Sequence, residues 1–531
     1  MNQKRSGCRY ASLRMPVRFT GATLIVAVFF LIIHKQTRSV ANAADLQRVL
    51  FIMADDLNTS LGCYGHSIVK TPNIDRLAAR GVRFERAYCQ FPLCGPSRNS
   101  LLTGLYPNST GIFENEQIFR QSIPRHTSLP QAFRMAGGTS IRIGKLYHYN
   151  VPASIGTSGH DDPASWTQTW NPAGCDRLIE QPEIFSLVPG SFGGDLSWHA
   201  SQYASPLHTD GLLARDAKEC IERLSMMNHG PAFVGIGFFR PHTPFVAPKE
   251  FFDRISLDSL TLIENVDKDI KDIPQVALRG DKKSHATLTE ALQRQAIGAY
   301  YASIMFMDEQ VGVVLDAIQT QGLADSTIIV FTSDHGYQLG EHGLWQKMSL
   351  FETATRVPLI IAAPGAARPG AVVDEPVGLI DLFPTLMELC GLKVSPTLQG
   401  QSLVPMLSSC DARGRGWTMS QIQFPGGNVA KKETAQKHPI TGYSLRTQRW
   451  RYTEWKNGDE LELYDHESDP NELVNLAHRS AENYSVEVST IIKNLSRQLN
   501  SAVSKSNPGG DPMARPPKIN EKTWSPMLVN P

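Results

Sequence analysis

Four unbroken apolar runs punctuate the chain. Residues 49–54 read Val-Leu-Phe-Ile-Met-Ala and stop at Asp55 and Asp56. Residues 232–239 and 327–332 have the same form, the second running into Ser333-Asp334-His335, and residues 357–362 make the fourth. Short runs without polar alternation predict strands buried on both faces, as in a parallel sheet. Between them, apolar positions recur at helical spacing over residues 73–80, 97–102, 214–224 and 296–319. Strands alternating with helices predict an α/β sandwich around a mostly parallel central sheet flanked by helices. Such sheets hold ligands just beyond the carboxyl ends of their strands. Two of the four runs end in acidic residues, which directs attention there.

The texture changes after about Pro405. Residues 446–455 and 460–465 predict short antiparallel strands and residues 486–502 an amphipathic helix, so residues 406–504 read as a smaller C-terminal subdomain. Residues 505–531, rich in Pro and Gly, read as an extended tail. Residues 150–206, with Trp166 and Trp170, show little periodicity and read as a long surface insertion near the strand ends. No internal repeat is evident.

The N-terminus has its own pattern. Lys4, Arg5, Arg9, Arg14 and Arg18 precede an apolar run over residues 19–33, and Ala41-Asn42-Ala43 follows as a small-x-small cleavage pattern. The run is shorter than the about 20 residues a membrane span needs, so residues 1–43 read as a signal peptide. The polar gap over residues 34–40 keeps an uncleaved signal anchor as the alternative. Either way residues 44–405, the main domain, are exported: to a periplasm, the extracellular space or a lysosome, depending on the host. No stable membrane partner follows unless the signal is retained.

Composition adds exclusions. Among 531 residues, 41% are hydrophobic, 19% are charged and the net charge is +1. No global field draws the chain to nucleic acid, so attraction for an anionic substrate must be local. Of the eight cysteines, Cys8 lies in the signal segment and Cys94 is a candidate for chemistry. Export makes disulfides feasible for Cys63, Cys89, Cys175, Cys220, Cys390 and Cys410, but their spacing fits no metal template and assigns no pair. Asn58, Asn108, Asn483 and Asn494 stand in glycosylation sequons.

Candidate chemistry begins at residues 92–98, Pro-Leu-Cys-Gly-Pro-Ser-Arg. Pro96 falls where a helix starts, because its missing N–H costs nothing there. Cys94 then lies beside a helix N-terminus, where partial positive charge favours anions. A lone Cys-x-Pro is more simply a half-buried cysteine in a turn. Each acidic pair alone is equally a cap or turn; two pairs on parallel strands can converge on a hard cation. Lys145 and His148 stand three apart, His242 follows the second run, and Lys347 closes the stretch 340–347. Singly these are solvated lysines or core histidines.

The whole string Cys94-Gly-Pro-Ser-Arg98 with its following Leu-Thr-Gly segment resembles the signature of the sulfatase family, whose cysteine is oxidised to formylglycine. The resemblance spans most of residues 46–480 through Gly62-Cys-Tyr-Gly65, Thr71-Pro-Asn-Ile-Asp75, Asp381-Leu-Phe-Pro-Thr385 and Glu462-Leu-Tyr-Asp465. Gly62–Gly65, Arg240-Pro-His-Thr-Pro244 and residues 333–347 look most like the iduronate-2-sulfatase branch.

Several expectations follow from the resemblance. The fold is an alkaline-phosphatase-like sandwich with a smaller C-terminal subdomain. The activity is removal of sulfate from a sulfated carbohydrate, on glycosaminoglycan or another sulfated polysaccharide, after a formylglycine-generating enzyme has matured Cys94. One Ca2+ is held by Asp55, Asp56, Asp334 and His335, with modified Cys94 completing the set. Arg98, Lys145 and His148 hold the aldehyde hydrate and nearby oxygens, while His242 and Lys347 contact sulfate and protonate the leaving alcohol. One hydroxyl of the hydrate attacks sulfur and the second lets the ester collapse with loss of sulfate; serine lacks that second hydroxyl. The cations outnumber the three aspartates once Ca2+ is counted, which suits charge developing on sulfuryl oxygens. A histidine acid matches a poor alkoxide leaving group. His335 stands where many sulfatases have Asn, and imidazole is the poorer Ca2+ ligand. Tyr337 replaces a tryptophan, and residues 150–206 match nothing in the branch; both differences are expected near the sugar pocket.

Two other readings compete. A phosphohydrolase of the same superfamily would bind two transition metals and use Thr or Ser. A non-catalytic sugar-binding protein would keep Cys94 as a thiol and would not need Lys145, His148, His242 and Lys347 together.

Overall fold

The first apolar run is β1 (Arg48–Ala54), and it lies at the middle of the central sheet of the computed structural model, which describes residues 48–226, 230–409, 411–425, 439–455, 458–478 and 485–507. Its side chains alternate between two cores. Leu50, Ile52 and Ala54 join one cluster, and Val49, Phe51 and Met53 join the other. Burial on both faces explains why the run carries no polar residue. Each large apolar side chain so buried contributes about 1.5–3 kcal/mol.

Seven further strands complete the main path: β2 (Val82–Tyr88), β3 (Thr139–Gly144), β4 (Gln168–Trp170), β5 (Ala232–Gly237), β6 (Thr327–Ser333), β7 (Arg356–Ala362) and β8 (Ala371–Val373). Their order is β8-β2-β7-β6-β1-β5-β3-β4, and Val377–Gly378 also pairs with β2. Only β7 runs against the rest. Helices α1 (Pro72–Arg80), α2 (Cys94–Thr103), α3 (Thr209–Ser225) and α4 (Glu290–Thr320) connect and cover the strands. The fold is thus the α/β sandwich with a mostly parallel sheet that the apolar runs predict. Long α4 also stabilises its neighbour: Asp308 accepts the backbone N–H of Asn73 (3.2 Å) and Ile74 (2.8 Å), two donors that α1 leaves free.

Beyond the sheet, β9 (Trp417–Phe424), β10 (Ile440–Thr447), β11 (Trp450–Trp455) and β12 (Glu460–Asp465) form a separate antiparallel sheet in sequential order, backed by α5 (Val486–Ser506). The expected strand over residues 446–455 is two strands of a hairpin, because the chain turns between Thr447 and Trp450. Ion pairs from Arg446 and Arg451 to Glu352 tie this sheet to the main body.

Three expectations need correction. Residues 150–206 are not only surface: Trp166 is buried, Gln168–Trp170 extends the central sheet, and Ser197–Ser201 pairs with Phe245–Pro248. Residues 505 and 506 belong to α5 and not to the tail. Asn58 is buried, its amide donating to the Tyr337 carbonyl (3.0 Å) and its oxygen accepting from Ser60 N–H (3.0 Å), so its sequon is closed to a glycan in the folded chain. Cys63, Cys89, Cys94, Cys175, Cys220 and Cys390 are all unpaired. Residues 1–43, Cys410, Asn483 and the tail from residue 508 lie outside the described residues. Among those described, no helix is long and apolar enough to cross a membrane.

Candidate active site

Register builds the site. Ala54 pairs with Ser333 across β1 and β6, so Asp55-Asp56 and Asp334-His335 leave the sheet side by side. Gly237 pairs with Met53 on one side and Gly144 on the other, which sends the His242 loop and Lys145 out at the same edge. From β2 the chain passes into α2, whose first residue is Cys94. The helix begins three residues earlier than the pattern predicts, and Pro96 sits inside its first turn, where N–H groups are not needed. Carboxyl ends of five parallel strands thus feed one place, as open α/β sheets require.

Arg98 organises the floor. Wholly buried, it donates from Nε to Asp334 Oδ2 (2.9 Å), from Nη2 to Asp55 Oδ1 (2.8 Å), and from Nη1 to the Lys145 carbonyl (2.6 Å). Lys145 Nζ donates to Asp55 Oδ2 at 2.5 Å. Both oxygens of Asp55 therefore already accept from cations. Asp56 adopts a left-handed backbone (φ 65°), fixed by its N–H on Asp334 Oδ1 (3.1 Å) and its carbonyl on Tyr300 Oη (2.8 Å). That turn aims its carboxylate at Lys347 Nζ (2.7 Å) and His242 Nε2 (3.8 Å). Cys94 Sγ lies 3.2 Å from Lys347 Nζ and 3.3 Å from His335 Nε2.

Ligand atoms of Asp56, Cys94, Asp334 and His335 all fall within 4.8 Å of one another, and all four residues are buried. Two carboxylates in that set suit a hard divalent cation, and Asp55 stands directly behind them. His335 donates from Nδ1 to the Gly336 carbonyl (2.9 Å), which leaves Nε2 facing the cluster. The donor set accommodates a metal ion.

Electrostatics follow from this crowding. Burial pushes the Cys94 thiol up, but Lys347, Lys145 and His335 outweigh it and hold the thiol well below its ordinary range. Burial likewise opposes ionisation of Asp55, yet Lys145 and His242 keep it below the usual carboxylate range. For Asp334 burial wins over Arg98, and its pKa rises to about 6. His148, buried beside Lys145, is lowered to about 4 and is neutral at pH 7.

A cleft of about 490 Å³, large enough for a sugar, is walled by His148, His242, Lys347, Asn150–Ala153 and Gly190–Gly194, and Lys347 and His242 join it to the buried cluster through Asp56. The segment 150–206 is thus beside the site, as its lack of periodicity suggests. Tyr337 is not in the cleft: it is fully buried and stacks on Tyr300 at 5.1 Å beneath the Asp56 turn. Sequence reasoning missed Tyr300, which lies inside an ordinary helical pattern, and Lys282, one of two adjacent lysines in a polar stretch.

Residues 47–392 match the family model described as Sulfatase, and residues 340–505 match that of the N-sulphoglucosamine sulphohydrolase C-terminal region. A sulfatase of Formosa agariphila is 34% identical over 457 residues, covering 83% of this chain and 85% of its own. Iduronate 2-sulfatase of Mus musculus is 31% identical over 494 residues, covering 81% and 88%. Among solved structures, phosphonate monoester hydrolase of Agrobacterium radiobacter shares the fold with a TM-score of 0.70 at 24% identity, over 87% of this chain and 96% of that one. The chain belongs to the sulfatase family, with its alkaline-phosphatase-like fold, and is a sulfuric ester hydrolase.

Proposed function

We propose that this sulfatase removes sulfate from a sulfated sugar of the glycosaminoglycan type, in the manner of its iduronate-2-sulfatase relatives, after export and oxidation of Cys94 to formylglycine. One observation carries the reading: Cys94 Sγ sits within 3.3 Å of both Lys347 Nζ and His335 Nε2, over a buried cluster of carboxylates, and Lys347 also lines a sugar-sized cleft. The thiol marks where the hydroxyls of the modified residue stand; the aldehyde hydrate supplies a nucleophile that can also release its ester. Asp55, Asp56, Asp334 and His335, with modified Cys94, are the residues that would hold one Ca2+, which when bound would supply positive charge near the sulfate oxygens.

The remaining roles belong to the chain itself. Arg98 and Lys145 neutralise Asp55 and fix it behind the cluster. Neutral His148 lies beside Cys94 and can accept a proton from its hydroxyl form. Lys347 bridges Asp56 and Cys94 and meets negative charge developing on sulfuryl oxygens. His242 donates from Nδ1 to its neighbour's carbonyl (2.5 Å), which presents Nε2 to the cleft, and in the imidazolium form that nitrogen carries the proton for the leaving alcohol.

Mass spectrometry of the peptide bearing Cys94, from enzyme that releases sulfate from sulfated disaccharides, tests the reading. Expected is replacement of the thiol by an aldehyde; a fully intact thiol in enzyme of undiminished turnover overturns it.

A further inference from the structure

One cation in the cleft is left without a counter-ion by the roles above. Lys282 lines the same cleft as His242 and Lys347, and its ammonium donates to the Gly194 carbonyl and to the side-chain oxygen of Gln346, both neutral acceptors. Lys145 and Lys347 each pair with a carboxylate, Asp55 and Asp56. Among the described residues no carboxylate lies within 4.0 Å of Lys282. Asp195, whose field reaches it, directs its oxygens to Ser284 Oγ (2.7 Å) and to the N–H of Leu196 (2.8 Å).

The surroundings make this arrangement costly for a bare ammonium. Burial and the like charge of Lys347 lower its pKa, against the pull of Asp195 and Asp56. A partly buried cation held only by neutral oxygens is stabilised by an arriving anion. The reacting sulfate already has Lys347 and His242. Its acceptors are also held in place: a side chain at Gly193 would collide with the Val151 carbonyl, so the loop carrying Gly194 packs directly on residue 151.

We infer that Lys282 binds a second anionic group of the substrate, a carboxylate or a further sulfate on the sugar, and so selects doubly anionic sugars over singly anionic esters. The inference deepens the sulfated-sugar reading and rests on it. Lys282 is a specificity-determining residue and takes no part in the sulfuryl transfer.

Three substrates distinguish the outcomes: 4-nitrophenyl sulfate, with no second anion; a 2-O-sulfated uronide, whose second anion is a carboxylate; and N,6-disulfated glucosamine, whose second anion is a sulfate. For the sugar the wild type prefers, Lys282→Gln should lower kcat/KM about ten- to a hundredfold, chiefly through KM, as loss of a charge-assisted contact does. That loss should exceed the loss on 4-nitrophenyl sulfate by about tenfold or more, and Lys282→Arg should restore most of it. The sugar whose KM rises identifies carboxylate or sulfate as the ligand. A uniform loss on all three substrates, a fall in kcat at unchanged KM, or wild-type kinetics on the preferred sugar overturns the role of Lys282 alone. Hydrolysis of 4-nitrophenyl sulfate but of neither sugar by the wild type overturns the sulfated-sugar reading and the inference with it.

Discussion

Cys94 carries the sharpest consequence of its surroundings. Three basic groups surround its sulfur and lower the thiol's pKa against the effect of burial, so the geometry alone also suits a cysteine hydrolase. The two chemistries diverge on substitution. Cys94→Ser keeps one hydroxyl but lacks the second on the same carbon, so it should transfer at most one sulfate per site and stall. Sustained turnover by that variant, with the serine confirmed unmodified, would sink the aldehyde-hydrate mechanism. With Cys94 oxidised as proposed, the nucleophile has no sulfur and alkylating agents should spare the enzyme. Legibility at this scale depended on strings: Cys94 and Arg98 stand in one short motif, and Asp55, Asp56, Asp334 and His335 stand directly after apolar runs. Lys282 and Tyr300 were illegible because each meets a partner far away in the chain, 64 and 244 positions off, and no local pattern marks it.

Among the elements, the C-terminal sheet holds the clearest titratable group outside the site. Glu462 on β12 accepts from Trp455 Nε1 (2.6 Å) and from Tyr464 Oη (3.1 Å), and burial raises its pKa to about 7. A folded pKa above the unfolded one means that the protonated form is favoured by folding. Its stabilising contribution is full below about pH 4.5 and is lost as the pH rises through about 7. The span is worth roughly 3 kcal/mol. Glu462→Gln, which cannot ionise, should therefore gain in melting temperature relative to wild type between pH 5 and pH 8. A difference that stays constant over that range would show that Glu462 remains ionised in the fold. Element legibility followed side-chain uniformity. β1, β5, β6 and β7 are continuous apolar runs, whereas β2 carries Arg83, Glu85 and Arg86, and β3 carries Arg142, buried against Asp161 at 2.9 Å. Paired charges, partly exposed on β2 and buried on β3, interrupt the period that identifies a strand.

For the molecule as a whole, the sheet order brings together what the chain separates. Asp56 and Asp334 are 278 positions apart and share a hydrogen bond, and residues from five strand ends meet at one cluster. Alternation of strands and helices made the α/β architecture legible; strand order was not, because no local pattern records which run lies beside which. This convergence makes the site part of the fold's stability. Asp55, Asp56 and Asp334 repel one another, and Arg98 with Lys145 compensates Asp55 and one oxygen of Asp334, while Asp56 faces Lys347 with His242 and His335 beside it. A bound divalent cation would remove the remaining repulsion and, by binding only the native state, add about 2.7 kcal/mol at a hundred times its Kd. Chelation of Ca2+ from the matured enzyme should therefore lower turnover and the melting temperature together, the latter by a few degrees. Asp56→Ala should start at the chelated value and lose little more on chelation, whereas removing a residue that only caps a turn costs about 1 kcal/mol and leaves the response to chelator intact. The two arms separate metal from scaffold: Arg98 still ties β1 to β6 through Asp55 and Asp334 when the cation is gone, so the fold should persist while the cluster loosens. A melting temperature and a turnover both indifferent to chelation would remove Asp56 and Asp334 from the ligand set and leave them as partners of Lys347 and Arg98.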